Sequence, residues 1–503
     1  MLSHKKCRQT AGQITVFLAL CAGLVVTVIM AEIESARYSA VMSAQKTSAM
    51  LACSSMLAEY NIPLFDQYGI FGVDSTGRDL TDAMKQKVLR NTGGFFGADI
   101  SDVCLTDLCA LTDENYDPLK KEIVQYMKTA GYIDVLKNSI NQAQERQIGN
   151  MQYNKEQISQ KLKEDEVRSA KAKSTYEANQ TDTGEKTQVS VKPVNPPADP
   201  RKTLNHLLRS GLLTIILPAE FQISDKKLEK PSGDSGYFSK NVDFTSVRSV
   251  TKRLESVQFR LSDMIEEKGE DMIIYAYLQN KFKNALHMDH VLHDTKLDYE
   301  MEYVICGHLS DSANLLDTAN RIALVRTVFN FAYLLTDGAK TASAHSLAAS
   351  IAAALLMPWL ETVIYSLILA AWAYGEAIMD LRALFRGAKV PLVKNASNWQ
   401  LSLTGLTTMT ADSTAGSSRD NYQSGLSYDD YLMILFMFSS QQKYLDRISD
   451  LMEANVALEK GYEYFRMEDC YYGIGCIVEY KIIPLFSGFM VGQRQICQWS
   501  ECY

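Results

Sequence analysis

The chain opens with a sharp division between charge and hydrophobicity. Lys5, Lys6 and Arg8 precede an uncharged apolar run from Ile14 to Ala31, which Glu32, Glu34 and Arg37 close. About 18 residues is the length at which an apolar run can span a bilayer. Cations on its N-terminal side keep that end in the cytosol and place the chain beyond the run outside. A secretory signal peptide would have a shorter apolar core and a small-residue cleavage site; Ala31 alone fits the latter. A buried core helix would not usually come after clustered cations. Glu32 to Tyr60 lacks Pro and Gly and is rich in helix formers, so the helix is expected to continue beyond the membrane until Pro63.

Farther along, the period of the pattern changes repeatedly. Tyr68–Val73 reads as a short β-type run, Leu80–Leu89 as a helix and Val103–Leu111 as extended. Pro118–Ser174 is helical and charged, with breaks at Gly131 and Gly149. Within it Gln157–Val167 has too few apolar positions for a strong coiled-coil seam and reads as a solvated helix. Thr175–Pro200 is polar and proline-rich, as a linker is. Arg201–Leu217 is amphipathic, Pro231–Gly236 a loop and Ile273–His293 helical. Leu297–Ile305 alternates with period two, which predicts a half-buried strand. Asn314–Leu335 and Tyr428–Leu458 predict helices. Tyr462–Met467 and Ile477–Ile483 predict antiparallel strands around Gly473 and Gly475. Helices outnumber strands without βαβ rhythm, so the fold class is α+β with a small antiparallel sheet.

Ser346–Tyr374 is a second apolar stretch, succeeded by Arg382, Arg386, Lys389 and Lys394. As a second span it would return the chain to the cytosol. Pro358, Glu361 and Glu376 interrupt it, however, and the unbroken run Thr362–Gly375 is only about 14 residues, a length typical of a core helix. Two packed helices, Thr341–Leu356 and Trp359–Arg386, are the favoured reading. The organisation is then a cytosolic basic segment (1–12), a transmembrane helix (13–31) and an extended anchor helix (32–63). A first ectodomain part with charged helices (64–174), a linker (175–200) and a main α+β ectodomain (201–503) with the apolar helix pair 341–386 complete it.

Composition narrows the function. Of 503 residues, 47 % are hydrophobic, enough for a sizeable core, and the net charge is −8. The absence of a basic stripe excludes nucleic acid as a partner. Eight of ten cysteines lie beyond the apolar run: Cys53, Cys104, Cys109, Cys306, Cys470, Cys476, Cys497 and Cys502. Outside the cell they are possible disulfide cysteines, although spacing leaves their pairing open. Cys104 and Cys109 would be too far apart on one strand and close together across a Thr106–Asp107 turn.

Gly12-Gln-Ile-Thr-Val-Phe-Leu-Ala-Leu20 with Ile33-Glu-Ser-Ala-Arg37 resembles the start of TadE/TadG-like proteins of Gram-positive tight-adherence (Tad, or Flp) pilus clusters. The chain is more closely similar to the large domain-of-unknown-function family found beside those clusters. Further blocks carry the resemblance: Ala58–Tyr60, Phe65–Phe71, Leu111–Asp113, Gln125–Met127, Asp298–Tyr303, Tyr333–Asp337, Ala371–Glu376, Lys389–Lys394, Asn398–Ser402 and Tyr428–Leu432. The resemblance implies a pseudopilin-like or accessory part of pilus assembly or secretion, without enzymatic activity. It also implies a processing site at the Gly12–Gln13 bond. Phe17 stands where true pilins carry Glu, so a processed and an uncleaved anchor both remain open.

Candidate chemistry is sparse. No GxSxG, P-loop, GxGxxG or HExxH is present, and neither catalytic residues, a cofactor nor a metal is expected. His287, His290, His293 and Asp294 could cluster around a transition metal, but a polar helix end is the favoured account of them. Glu34 and Arg37 share a helical face just beyond the membrane and are candidates for an interface or partner contact. Two functions are expected: a non-enzymatic component of a tight-adherence pilus or secretion apparatus, in the plasma membrane beside other pilus proteins, or an anchored surface binding module independent of pili.

Overall fold

A computed structural model describes residues 5–92, 97–129, 142–182, 197–229, 242–256, 268–409, 425–486 and 494–503. They form two compact units: Met1–Glu122 with Glu459–Tyr503, and Ile123–Leu458.

The first unit is built on one long helix, Lys5–Leu57, of 53 residues. Its second half lies on a four-stranded antiparallel sheet made of β1 (Val73–Asp74), β2 (Ala98–Ala110), β3 (Cys470–Ile482) and β4 (Arg494–Cys502). β3 is the strand with which all the others pair. Its alternation explains the core: Ile474, Cys476, Val478, Tyr480 and Ile482 turn inward to meet Val41, Ala49, Ala52, Cys53 and Met56 of the helix. Helix Leu80–Asn91, capped by Asp79, adds Leu80, Met84 and Val88.

Several expectations change here. The β-type reading of Tyr68–Val73 shrinks to β1, because helix Ile62–Tyr68 starts on the Asn61 cap and stops at Gly69, whose φ of 70° suits glycine. Tyr462–Met467 is not a strand; turns and a short 3-10 segment, Met467–Asp469, occupy it, because β2 and β4 already fill the edges of β3. Gly473 and Gly475 mark close approach rather than a turn. A Cβ on Gly475 would lie 2.8 Å from the Thr106 carbonyl oxygen of β2. Asp107, at φ 50°, makes an irregularity within β2 rather than a hairpin. Cys104 therefore faces Ile477 and Cys109 faces Gly473, well separated along β3.

The second unit is helical. Helix Glu361–Phe385 runs through its centre, with every residue from Ile364 to Phe385 buried. Helices Asp311–Thr336 and Gly338–Ala354 contact it. The apolar stretch is thus a pair of helices, as expected, and its own unit covers the one long enough to cross a membrane. Helix Gln142–Asp182 also joins this core: Ile158 and Leu162 are buried, and the buried Ser366 hydroxyl donates to Asp165. It is not solvated on all sides: one face is buried, while Val167 and residues 170–178 are exposed. It passes through Gly149 without a break and extends into the first residues of the expected linker. Gly131, residues 183–196 and the Pro231–Gly236 loop lie outside the described residues. Arg201–Leu217 forms two helices, Pro200–Leu208 and Leu212–Ile216, divided at Gly211 with φ 97°. The segment after Tyr428 likewise gives two, Tyr428–Met437 and Gln441–Val456.

Glu300–Cys306 is a helix and not the strand its alternation predicts. All seven residues are buried, so the period-two pattern does not report two faces. Its acids bind backbone instead of water. Glu300 accepts from the Lys283 N–H at 2.8 Å and Glu302 from the Ala285 N–H at 3.0 Å. Asn455 donates to Glu300 and the Tyr428 hydroxyl to Glu302, both at 2.7 Å. The preceding helix ends at Lys281, so Ile273–His293 is helical only in its first part.

The charges inside the central helices form one buried network. Arg326 Nε donates to Asp380 Oδ2 at 2.9 Å, and its Nη1 donates to the carbonyls of Pro391 and Leu392 at 2.9 and 2.7 Å. Lys394 Nζ lies 2.6 Å from Asp380 Oδ1 and also binds Glu376. Glu376 accepts the N–H groups of Gln400 and Leu401 at 2.9 and 2.7 Å. Two cations balance two acids in a site closed to water. Burial alone would raise Asp380, but Arg326 and Lys394 outweigh it and hold its carboxyl below the usual range.

The stability of this unit can be read by fluorescence, because Trp359, Trp372 and Trp399 lie within it and report its unfolding. Arg326→Met should destabilise it by about 3–5 kcal/mol in denaturant titration, since it leaves Lys394 alone to balance the buried Asp380 and Glu376 and leaves two carbonyls unbonded. A second expectation concerns pH. Burial pushes Glu300 and Glu302 up to about 7. The folded chain keeps these protons to near neutrality, whereas the unfolded chain releases them near pH 4.5. The native state therefore binds more protons in that window, and stability falls as pH rises from 5 to 8, by at most roughly 3 kcal/mol per group. Glu300→Gln should flatten this slope; a slope unchanged in that variant would remove Glu300 from the account.

Candidate functional site: the long helix and its clasp

Helix Lys5–Leu57 changes environment part-way along. Ile14, Val16, Phe17, Leu18, Val25 and Val26 are exposed around its whole circumference, without cover from the rest of the described chain. Residues 14–31 extend for about 27 Å at 1.5 Å per residue, close to a bilayer's hydrocarbon thickness. The stretch is long and apolar enough for a membrane span or a signal sequence.

The helix becomes part of the sheet core at Glu34. Glu34 is 3 % exposed and pairs with Arg37 at 2.5 Å. Arg37 also donates to the Ile483 carbonyl at 2.6 Å, and Glu34 accepts the Leu485 N–H at 3.3 Å. The hydrogen bond from Arg37 holds the Glu34 carboxyl below the usual carboxylate range. Both candidate interface residues thus have their polar groups engaged on the segment leaving β3. Gly97 completes the clasp: its carbonyl accepts the Ile483 N–H at 2.7 Å, its φ is 90°, and a Cβ there would collide with Arg37.

The far end of the helix is held as firmly. Ser54 donates to Glu501 at 2.6 Å, the Tyr503 hydroxyl donates to the Leu57 carbonyl, and the Tyr503 ring stacks on Phe71 at 5.1 Å. Between these ends Cys53 Sγ lies 3.6 Å from Cys476 Sγ. Its hydrogen bond to Cys476, together with burial, pushes the Cys53 thiol up. On the outward helical face Ser39 and Thr47 donate their hydroxyls to the Ser35 and Ser43 carbonyls one turn earlier.

The other candidates separate. His287 pairs with Asp429 at 3.1 Å, and His290 meets the Phe282 carbonyl at 3.1 Å. Burial pushes His293 down to about 4. Among the described residues no group of metal-ligating side chains converges. Of the possible disulfide cysteines, Cys53 and Cys476 meet. Cys306 is buried beside Thr318 in the second unit, and Cys470 lies against Gly72. Gly12 and Gln13 both lie within the long helix. Sequence reasoning missed Gly97 and the backbone groups of Ile483 and Leu485. It also missed the Arg326 network, whose signal was present: four charged residues in or beside apolar helices.

A profile of a family of unknown function, DUF5702, matches residues 190–482. The chain belongs to that family. No curated protein and no solved structure matches it. The DUF5702 match includes Arg326, Glu376, Asp380, Lys394 and β3, whereas helix Lys5–Leu57, β2 and β4 lie outside it.

The clasp is testable by hydrogen exchange on the full chain in detergent. Arg37→Ala should raise exchange at Ile483 and Leu485 at least tenfold, corresponding to about 1.4 kcal/mol or more, because Glu34 loses its cation. Gly97→Ala should raise it similarly by displacing Arg37. Unchanged protection in both variants would show that the clasp contributes nothing to holding the strand end.

Proposed function

We propose that this chain is a non-enzymatic, membrane-anchored, pseudopilin-like or accessory component of a tight-adherence (type IV-like) pilus or secretion apparatus. Its N-terminus is cytosolic, and the chain beyond Glu32 is outside the plasma membrane. One observation carries the reading: a single unbroken helix is bare and apolar for one half and fastened into a sheet for the other. Apolar surface around a whole helix needs lipid or other apolar helices to cover it. Lys5, Lys6 and Arg8 set the orientation. Cleavage after Ala31, as for a signal peptide, would cut within the helix just ahead of the clasp. Because Glu34 and Arg37 are engaged within the chain, neighbouring subunits are met through the apolar half, in the membrane, and through the ectodomain surface. The resemblance of residues 12–20 and 33–37 to TadE/TadG-like proteins supplies the apparatus.

Two measurements on cells carrying a tag after Tyr503 test this. Protease added to intact cells should remove the tag, and cross-linking in membranes should recover tight-adherence apparatus proteins with the chain. A protected tag defeats the topology; recovery of the chain alone, from cells that assemble the apparatus, defeats the assembly role.

A further inference from the structure

We propose that Cys53 and Cys476 form a disulfide in the exported protein, joining the anchor helix covalently to the central strand of the sheet. The proposal rests on the extracytoplasmic placement argued above, since disulfides persist in oxidising compartments. The geometry that assigns this pair is independent of that placement.

Both thiols are fully buried, and their sulfurs are 3.6 Å apart although the residues are separated by 423 positions. The strand register excludes the nearest competitor. Cys476 lies opposite Leu105 on β2 and Trp499 on β4, and neither is a cysteine. Cys497 lies opposite Val478, so it is a diagonal neighbour of Cys476. Diagonal neighbours are about 7–8 Å apart, beyond the usual Cα separation of a disulfide. Cys109 and Cys502 flank Gly473, an odd-numbered position of β3, whereas Cys476 belongs to the even-numbered, core-facing set. Cys470 is six positions along the same strand, about 20 Å away at 3.3 Å per residue. The sulfur within reach of Cys476 is the one that the helix brings down from above the sheet.

The oxidant is an external disulfide, either an exported thiol–disulfide oxidoreductase in its oxidised form or a small-molecule disulfide. A thiolate of the pair attacks one sulfur of that disulfide, forming a mixed disulfide and expelling one thiol. The second cysteine gives up its proton, attacks the protein sulfur of the mixed disulfide and expels the second thiol. Two protein thiols are oxidised and one external disulfide is reduced to two thiols. Because the pair is sealed once folded, exchange takes place while the sheet closes on the helix. The bond then turns the helix–sheet contact, otherwise held by apolar burial and the Glu34–Arg37 clasp, into one that survives tension between bilayer and ectodomain.

The test uses full-length protein in membranes, quenched in acid, alkylated without reductant, digested and analysed by mass spectrometry. The expected product joins the Cys53 and Cys476 peptides, two hydrogens lighter than the separate thiol peptides, with Cys497 alkylated. After limited proteolysis between the two cysteines, their fragments should migrate together until reduced, and separately in Cys53→Ser. Alkylation of both thiols in protein whose C-terminal tag is accessible outside the cell overturns the disulfide and leaves the topology standing. If the tag is protected, the topology fails, and the disulfide in the exported protein fails with it. Refolding the full chain in mixed oxidised and reduced glutathione then reads the geometry alone: a Cys53–Cys476 bond upholds the assignment of the pair, and Cys476–Cys497 or no bond refutes it.

Discussion

The first unit depends on the burial of one helix face against one strand. Val41, Ala49, Ala52, Cys53 and Met56 are covered by the inward residues of β3 together with Leu80, Met84, Val88 and Trp499, and β3 is also the strand to which β1, β2 and β4 attach. If that face were lost, the sheet would expose its apolar side and the helix would be bare along its whole length. An amphipathic half needs cover on one side, whereas a half that is apolar all round needs cover on every side, from protein or from lipid. This explains the position of Glu34 and Arg37 at the junction. It is the first turn at which charge is present and backbone groups of another segment are available to bind it.

The helix and β3 come from opposite ends of the sequence, with the second unit between them. Contacts between such distant segments are costly in chain entropy, because a long loop must close before they yield anything. Several small devices therefore converge on the same interface. Gly97 lets Arg37 reach the strand end, Ser54 and Tyr503 fix the far end of the helix, and glycines within β3 allow the neighbouring strands to approach.

How much could be read from sequence depended on whether the signal was local. The long apolar helix was legible because Ile14–Ala31 carries its own boundary charges. The helix pair after Thr341 was legible because Pro358 and Glu361 divide it. Partners of β3 were not, since β2 lies hundreds of residues earlier and no periodicity encodes which strands pair. Glu300 and Glu302 misled for a different reason. Alternation of acids with apolar residues marks a two-faced strand only if the acids meet water; here they meet backbone N–H groups and Asn455 and Tyr428 side chains. The histidines between 287 and 293 do not share a helical face, because the helix predicted over Ile273–His293 ends at Lys281.

Buried charge has opposite consequences in the two units. Around Arg326 and Lys394 the acids are matched by cations and backbone donors, so the network defines one arrangement of the segment from Pro391 to Leu401 against the central helices. A hydrophobic replacement could match its stability but not that directional choice. Glu34 and Arg37 form a single pair at the edge of a core, and the bonds they make fix where the helix joins the sheet. In the membrane-anchored subunit proposed above, that boundary has to be sharp. A helix that could slide along the sheet would draw charge into the bilayer or apolar residues out of it, and both displacements are unfavourable by several kcal/mol.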